Sequence, residues 1–257
     1  MPSAALDHDL WIRSYHRAED GAVRLFCFPH AGGSASYFRL LSERLAPDVA
    51  VLAVQYPGRQ DRRTEPCPES IEALAQSVAE VLGDLLERPY AFFGHSMGAV
   101  VAYETARLLR WSAAPEPVRF IASGRRSPTR FRPSENVHLR SDDGVIEAIR
   151  VLGGTPDELL LDPEFRQLAL GPTRSDYRAV ETYAPALGFR LRCPVTVLTG
   201  DRDPHTTAEE AAAWAEVAAG DCDVRVFPGG HFFLDEQRGA VAAAVRAALD
   251  GARGADR

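Results

Sequence analysis

The chain has 257 residues, 46% of them hydrophobic, enough for one α/β domain with a sizeable core and room for an inserted subdomain. Its 36 acidic residues outnumber 29 basic ones, and the resulting formal charge of -7 excludes nucleic acid as a bulk partner, which would call for a basic face. No apolar run is long enough to span a membrane and residues 1–10 carry no leader pattern, so a cytoplasmic protein without membrane contact is expected.

Every basic residue is an arginine; without lysine, Schiff-base chemistry and a lysine-bearing phosphate loop are ruled out. Cys27, Cys67, Cys193 and Cys222 are scattered with no C-x-x-C pair, so neither a metal nor a disulfide is expected.

Residues 10–16 predict an outer strand. Val23-Arg24-Leu25-Phe26-Cys27-Phe28 is nearly all apolar, as a strand covered on both faces must be. It ends in Pro29-His30-Ala31-Gly32-Gly33-Ser34, too rich in glycine for regular structure. A helix with Tyr37, Leu40, Leu41 and Leu45 on one face comes next, then a strand over 49–54 and a polar loop over 55–69. Ile71, Leu74, Val78, Leu82 and Leu85 recur at helical steps. Tyr90-Ala91-Phe92-Phe93 then runs into Gly94-His95-Ser96-Met97-Gly98 and a helix over 100–109, followed by a strand over 118–123.

The rhythm breaks between 124 and 194. An irregular stretch carrying Arg125, Arg126, Arg130 and Arg132 leads into helical patterns at 143–152, 157–161, 163–170 and 174–182, with no strand. This insertion, 125–193, reads as a helical lid over the strand ends. Strands at 194–199 and 224–227 and helices at 208–217 and 235–249 complete the core, and a disordered tail is expected over 251–257. Residues 1–124 and 194–250 thus predict an α/β core with a mostly parallel, doubly wound sheet. A ligand site then lies at the carboxyl ends of the strands.

The chemistry centres on Gly94-His95-Ser96-Met97-Gly98. Between a strand and a helix this is the nucleophile-elbow pattern: the serine sits on a strained turn, and the flanking glycines let strand and helix pass within contact distance. A serine hydroxyl needs a histidine to take its proton, and that histidine needs a carboxylate to hold its tautomer. His231, in Pro228-Gly229-Gly230-His231 after the last strand, is the expected base. The acid is Asp203 or Asp201, in the loop after strand 194–199. Asp203 is favoured because the chain has turned toward the site there, while Asp201 suits a turn-capping role.

The N–H groups of Met97 and Ala31 are the expected oxyanion donors. His30, Gly32 and Phe232 are expected to line the substrate, and His95 to pack beneath the turn. His138 and His205 read as solvent-side, and Asp235 as a helix N-cap residue. The arginines at 59, 62, 63, 125, 126, 130 and 132 read as solvated surface; recognition of phosphate or of an acidic partner is the alternative.

With these residues in view, the chain resembles the type II, stand-alone editing thioesterases of polyketide and nonribosomal peptide synthesis. The resemblance rests on 28–34, 56–59, 93–98, 199–204 and 229–234, and in the insertion on 152–156, 176–177 and 181–183. It implies an α/β-hydrolase fold and release of acyl groups from the phosphopantetheine arm of acyl or peptidyl carrier protein domains. The protein itself would need no cofactor, because the substrate carries the phosphopantetheine. A monomer is expected. Arg125 and Arg126 would steer acidic carriers toward the lid. A carboxylesterase or lipase with the same triad is the competing enzyme, and a chain-terminating macrocyclase would be expected with an attached carrier domain. A non-catalytic, carrier-binding hydrolase fold is the alternative of another class.

Overall fold

The computed structural model describes residues 8–112, 114–130, 132, 136–186 and 188–253. Helix α1 (His8–Trp11) leads into a two-residue strand β1 (Ile12–Arg13). The expected outer strand over 10–16 is therefore cut short. Its anchor is one buried indole: Trp11 packs in the core with the Arg62 guanidinium 4.1 Å from its ring.

Strand β2 (Val23–Phe28) is followed by the glycine-bearing turn, a 3-10 turn (Ala35–Phe38) and α2 (Arg39–Leu45). Leu41 and Leu45 of α2 are buried whereas Leu40 faces out, because the tighter 3-10 turn shifts the phase of the apolar face. Strand β3 (Val49–Val54), α3 (Ile71–Leu82), β4 (Tyr90–His95), α4 (Met97–Leu109) and β5 (Arg119–Ser123) follow. Ser70 caps α3 by accepting the Ala73 N–H.

Beyond β5 the regular elements among the described residues of the insertion are helical: a 3-10 turn (Val137–Leu139), α5 (Asp142–Leu152), α6 (Asp157–Leu161) and α7 (Pro163–Glu181). The two helices expected at 163–170 and 174–182 are one. Gly171-Pro172 reads as a break in the sequence, yet Pro172 lies inside α7, where it removes one backbone donor without ending the helix. Asp162 caps α7 through the Phe165 N–H, with Pro163 at the first helical position.

The sheet resumes with β6 (Val195–Gly200), α8 (Ala208–Ala212) and its 3-10 extension (Ala213–Val217), and β7 (Cys222–Phe227). Thr207 and Glu210 form a reciprocal capping box at α8. The chain ends on α9 (Phe233–Glu236) and α10 (Arg238–Arg253), so residues 251–253, expected in a disordered tail, extend a helix. Residues 254–257 lie outside the described set, as do 131 and 133 of the basic stretch.

Among the described residues seven strands order as β1-β3-β2-β4-β5-β6-β7, parallel except for the antiparallel β1 edge. This is the doubly wound sheet that the α/β-hydrolase resemblance implies. Side chains alternate between two cores. Phe26, Phe28, Phe92, Phe120 and Val197 meet α3, α4 and Trp214 on one face. Leu25, Cys27, Phe93, Ile121 and Leu198 meet α2 and α10 on the other. Covered on both faces, the central strands β2, β4, β5 and β6 present their loops at their ends. Among the described residues, no helix is long and apolar enough to cross a membrane.

Candidate active site

The carboxyl ends of five strands contribute to one place. Ser96 follows β4, the turn from His30 follows β2, Gly124 follows β5, Asp203 follows β6 and His231 follows β7.

Ser96 adopts φ 54° and ψ -120°, a conformation that L-residues rarely hold. Its N–H is fixed to Ser123 O at 2.8 Å. The two glycines make the turn possible. A Cβ on Gly94 would stand 2.4 Å from Ala99 Cα, and one on Gly98 would stand 2.0 Å from Phe28 O. Met97 is the first residue of α4, so its N–H has no acceptor within the helix and the positive end of the dipole lies at the serine.

His231 and Asp203 meet. Nδ1 of His231 lies 2.9 Å from Asp203 Oδ2, with both side chains buried. A carboxylate acceptor there places the proton on Nδ1 and leaves the Nε2 lone pair able to take one. Asp203 Oδ1 accepts the His205 N–H at 2.8 Å, which orients the carboxylate. Asp201 is engaged elsewhere: its Oδ1 accepts the Gly229 N–H at 2.8 Å and joins the two loops. Gly200 fits between those loops, where a Cβ would come within 2.3 Å of Gly230 O.

Ser96, Met97, His231, His30, Ala31, Gly32 and Phe232 all line one cavity. Its volume of ≈ 110 Å³ is several times the ~10–15 Å³ that one water needs. Gly124, His205 and Thr206 of the core join them, and much of the remaining wall comes from the insertion, including Ile149 and Leu152 of α5 and Phe165, Ala169, Thr173, Tyr177 and Val180 of α7. The α7 residues recur at steps of three and four, one helical face turned to the site.

Beneath the turn, His95 is buried with Nδ1 3.1 Å from Ser123 Oγ. Burial, with the His231 and His30 imidazoles nearby, pushes its pKa well below the usual histidine value. Burial takes His30 to about 3, with His231 and Arg59 adding to the effect. Both rings are therefore neutral at physiological pH, and neither repels the imidazolium that His231 would become.

Several expectations are corrected. His205 joins the cavity wall instead of facing solvent, its ring 6.1 Å from that of His231. His138 is half-buried and bonds Glu181 through Nδ1 at 2.5 Å. Asp235 lies within α9, whose N-cap is Phe232. Of the arginines read as solvated surface, Arg59, Arg62 and Arg126 are buried, Arg132 pairs with Glu210 and Arg125 lines the cavity, whereas Arg63 is exposed as expected and Arg130 pairs with Glu216 at the surface. Gly124 was not singled out from the sequence. Its φ is +57°, and a Cβ there would reach within 2.8 Å of His95 Cε1 and 3.5 Å of His231 Cε1. A lone glycine after a strand is the only trace such a residue leaves in sequence.

Comparison with known proteins bears on this geometry. Residues 23–249 match the family model of the thioesterase domain. A probable cadicidin biosynthesis thioesterase of Streptomyces griseus is 51% identical over 93% of this chain, and the aligned region spans 66% of that relative's length. Thioesterase PikA5 of Streptomyces venezuelae is 48% identical, over 90% of this chain and 83% of its own. Among solved structures, the type II thioesterase BorB from the borrelidin biosynthetic cluster superposes with a TM-score of 0.88 at 44% identity, covering 94% of this chain and 98% of that one.

Proposed function

The chain belongs to the thioesterase family, and from that premise we propose that it hydrolyses acyl thioesters carried on the phosphopantetheine arm of acyl or peptidyl carrier proteins, clearing stalled or unwanted acyl groups. The observation that carries this reading is the buried Asp203–His231 pair, 2.9 Å apart, whose imidazole lines the cavity at the elbow serine.

In this reading Ser96 Oγ attacks the thioester carbonyl while His231 Nε2 takes its proton, and Asp203 stabilises the resulting imidazolium. The carbonyl oxygen becomes an oxyanion, received by the N–H groups of Met97 and Ala31. Collapse of the tetrahedral adduct breaks the C–S bond. The departing thiolate, of ordinary pKa near 8.5, needs little help from a proton, which His231 can return. Water, deprotonated by His231, then attacks the acyl-serine by the same route and frees the acid. No step draws on a metal or resident cofactor. Residues 125–193 act as the lid: Phe165, Ala169 and Val180 offer the acyl chain an apolar wall, while the long pantetheine arm reaches in from outside.

The reading is tested by labelling with a fluorophosphonate. Ser96 should be modified in the wild-type protein and not in Ser96→Ala, which should also lose hydrolysis by several orders of magnitude. A carrier-bound thioester should be cleaved faster than the matched oxygen ester. Equal or reversed rates would turn the assignment toward a carboxylesterase.

A further inference from the structure

Two charged side chains at this site stand outside the triad, and both are almost sealed from water. Arg59, on the loop after β3, is 6% exposed; Asp176, on α7, is 2% exposed. They meet fork to fork, with Nη1 donating to Oδ2 and Nη2 to Oδ1, each at 2.9 Å. This is the bidentate geometry shared by a planar guanidinium and a carboxylate.

The pair bears on the turn that carries Ala31. The Gly32 N–H donates to Asp176 Oδ2 at 2.8 Å, and Arg59 Nη1 reaches Gly33 O at 3.4 Å. One turn earlier on α7, Thr173 closes on the same glycine: a Cβ on Gly32 would lie 2.5 Å from Thr173 Oγ1. Gly32 itself holds φ +73°, so the turn is locally permissive and its setting comes from α7 and Arg59.

A buried ion pair adds little net stability, because desolvating both charges offsets most of their attraction. What this pair does supply is direction. It fixes the peptide groups next to the proposed oxyanion donor at Ala31. We infer that Asp176 is a positioning residue for hydrolysis: through Gly32 it sets the oxyanion turn, and through Arg59 it makes that setting depend on α7 being docked. The inference rests on the thioesterase reading above. Lifting α7 would withdraw Asp176 from Gly32, so a closed insertion and an aligned oxyanion site arrive together.

Asp176→Asn is the test, since it keeps the size and one oxygen acceptor but removes the charge that holds Arg59. End-point fluorophosphonate labelling counts competent sites, so rates can be expressed per labelled site on a small free thioester. The kcat per site should fall about 10- to 100-fold, approaching the loss of an oxyanion donor, while KM moves less than about threefold. Affinity for an alkyl trifluoromethyl ketone, whose adduct places an oxyanion in the same position, should fall by the same factor as kcat/KM. Fewer labelled sites with wild-type kcat per site would mark the pair as purely structural and overturn the inference, as would unchanged ketone affinity. Where Asp176→Asn yields too few labelled sites, Arg59→Lys, which keeps the charge and loses the fork, carries the same expectations. Wild-type protein that neither labels at Ser96 nor cleaves thioesters would overturn the underlying reading and this inference with it; a fully active wild type beside an unaffected variant overturns this inference alone.

Discussion

Single residues around the elbow carry burdens that show only when their neighbours are known. His30 is the clearest case. It is half-buried, packed against Tyr37, His95 and Phe232; its Nδ1 is sealed with no partner, and its pKa falls to about 3, chiefly through loss of water around the ring. In the unfolded chain the same imidazole titrates near 6.5. Between those values the unfolded state binds a proton that the native state refuses, so acid favours unfolding. The stability is complete above about pH 6.5 and drains away as the pH falls toward 3, at about 1.4 kcal/mol per pH unit for this one group. His30→Phe should remove that increment from the slope of unfolding free energy between about pH 6 and pH 4, measured by urea titration. A slope equal to that of the wild type would show that His30 is charged, or reached by water, in the folded state. The same reasoning explains why His95 was placed correctly from sequence. Neighbours along an elbow point to opposite sides, so the residue before an exposed serine goes under the turn.

Elements were legible in proportion to how local their causes are. The strands at 23–28 and 49–54 coincide with β2 and β3, because covering a strand on both faces writes an unbroken apolar run. The helix at 157–161 was as clear, bounded by Pro156 and Asp162. The insertion was read less well. Splitting α7 at Gly171-Pro172 hid the face that carries Phe165, Ala169, Thr173, Tyr177 and Val180, and with it the residues that wall the cavity. Asp176 belonged to a recognised motif, yet its partners Gly32 and Arg59 are 144 and 117 residues away, a pairing no local pattern encodes. The placing of Ser96, Asp203 and His231 at one end of the sheet was legible for the opposite reason, since each follows a strand and the carboxyl ends of parallel strands share one side. One consequence concerns specificity. If α5 and α7 form the acyl wall, Ala169→Phe should shorten it. A methylene in an apolar pocket is worth about 1–3 kcal/mol, so kcat/KM for an octanoyl thioester should drop at least about tenfold while acetyl changes less than about threefold. Equal losses on both chains would place the acyl group elsewhere.

At the scale of the whole molecule, the proposed carrier partner raises the question of how a chain of net negative charge would meet an acidic one. The formal charge is -7, from 29 basic and 36 acidic residues. The arginine-rich stretch after β5 suggested a basic mouth that would overcome this repulsion. The structure leaves Arg125 on the cavity wall but cuts the expectation back for the other three. Arg126 is 5% exposed and donates to Arg130 O; Arg130 is neutralised by Glu216 and Arg132 by Glu210, so these side chains lock the stretch onto α8 and its extension. Reversing Arg126 to glutamate would bury an unpaired charge and unfold the region, and so would say nothing about docking. The better probe is ionic strength, which leaves the fold alone. Raising salt from about 20 to about 200 mM shrinks the Debye length from about 20 Å to about 7 Å and silences distant charges first. With repulsion between two acidic bodies in control, kcat/KM for a carrier-borne acyl group should hold or rise, up to about threefold, while a free thioester stays constant. A fall of about fivefold or more on the carrier-borne substrate alone would mean that a basic surface does guide the encounter, and that it lies outside the locked stretch.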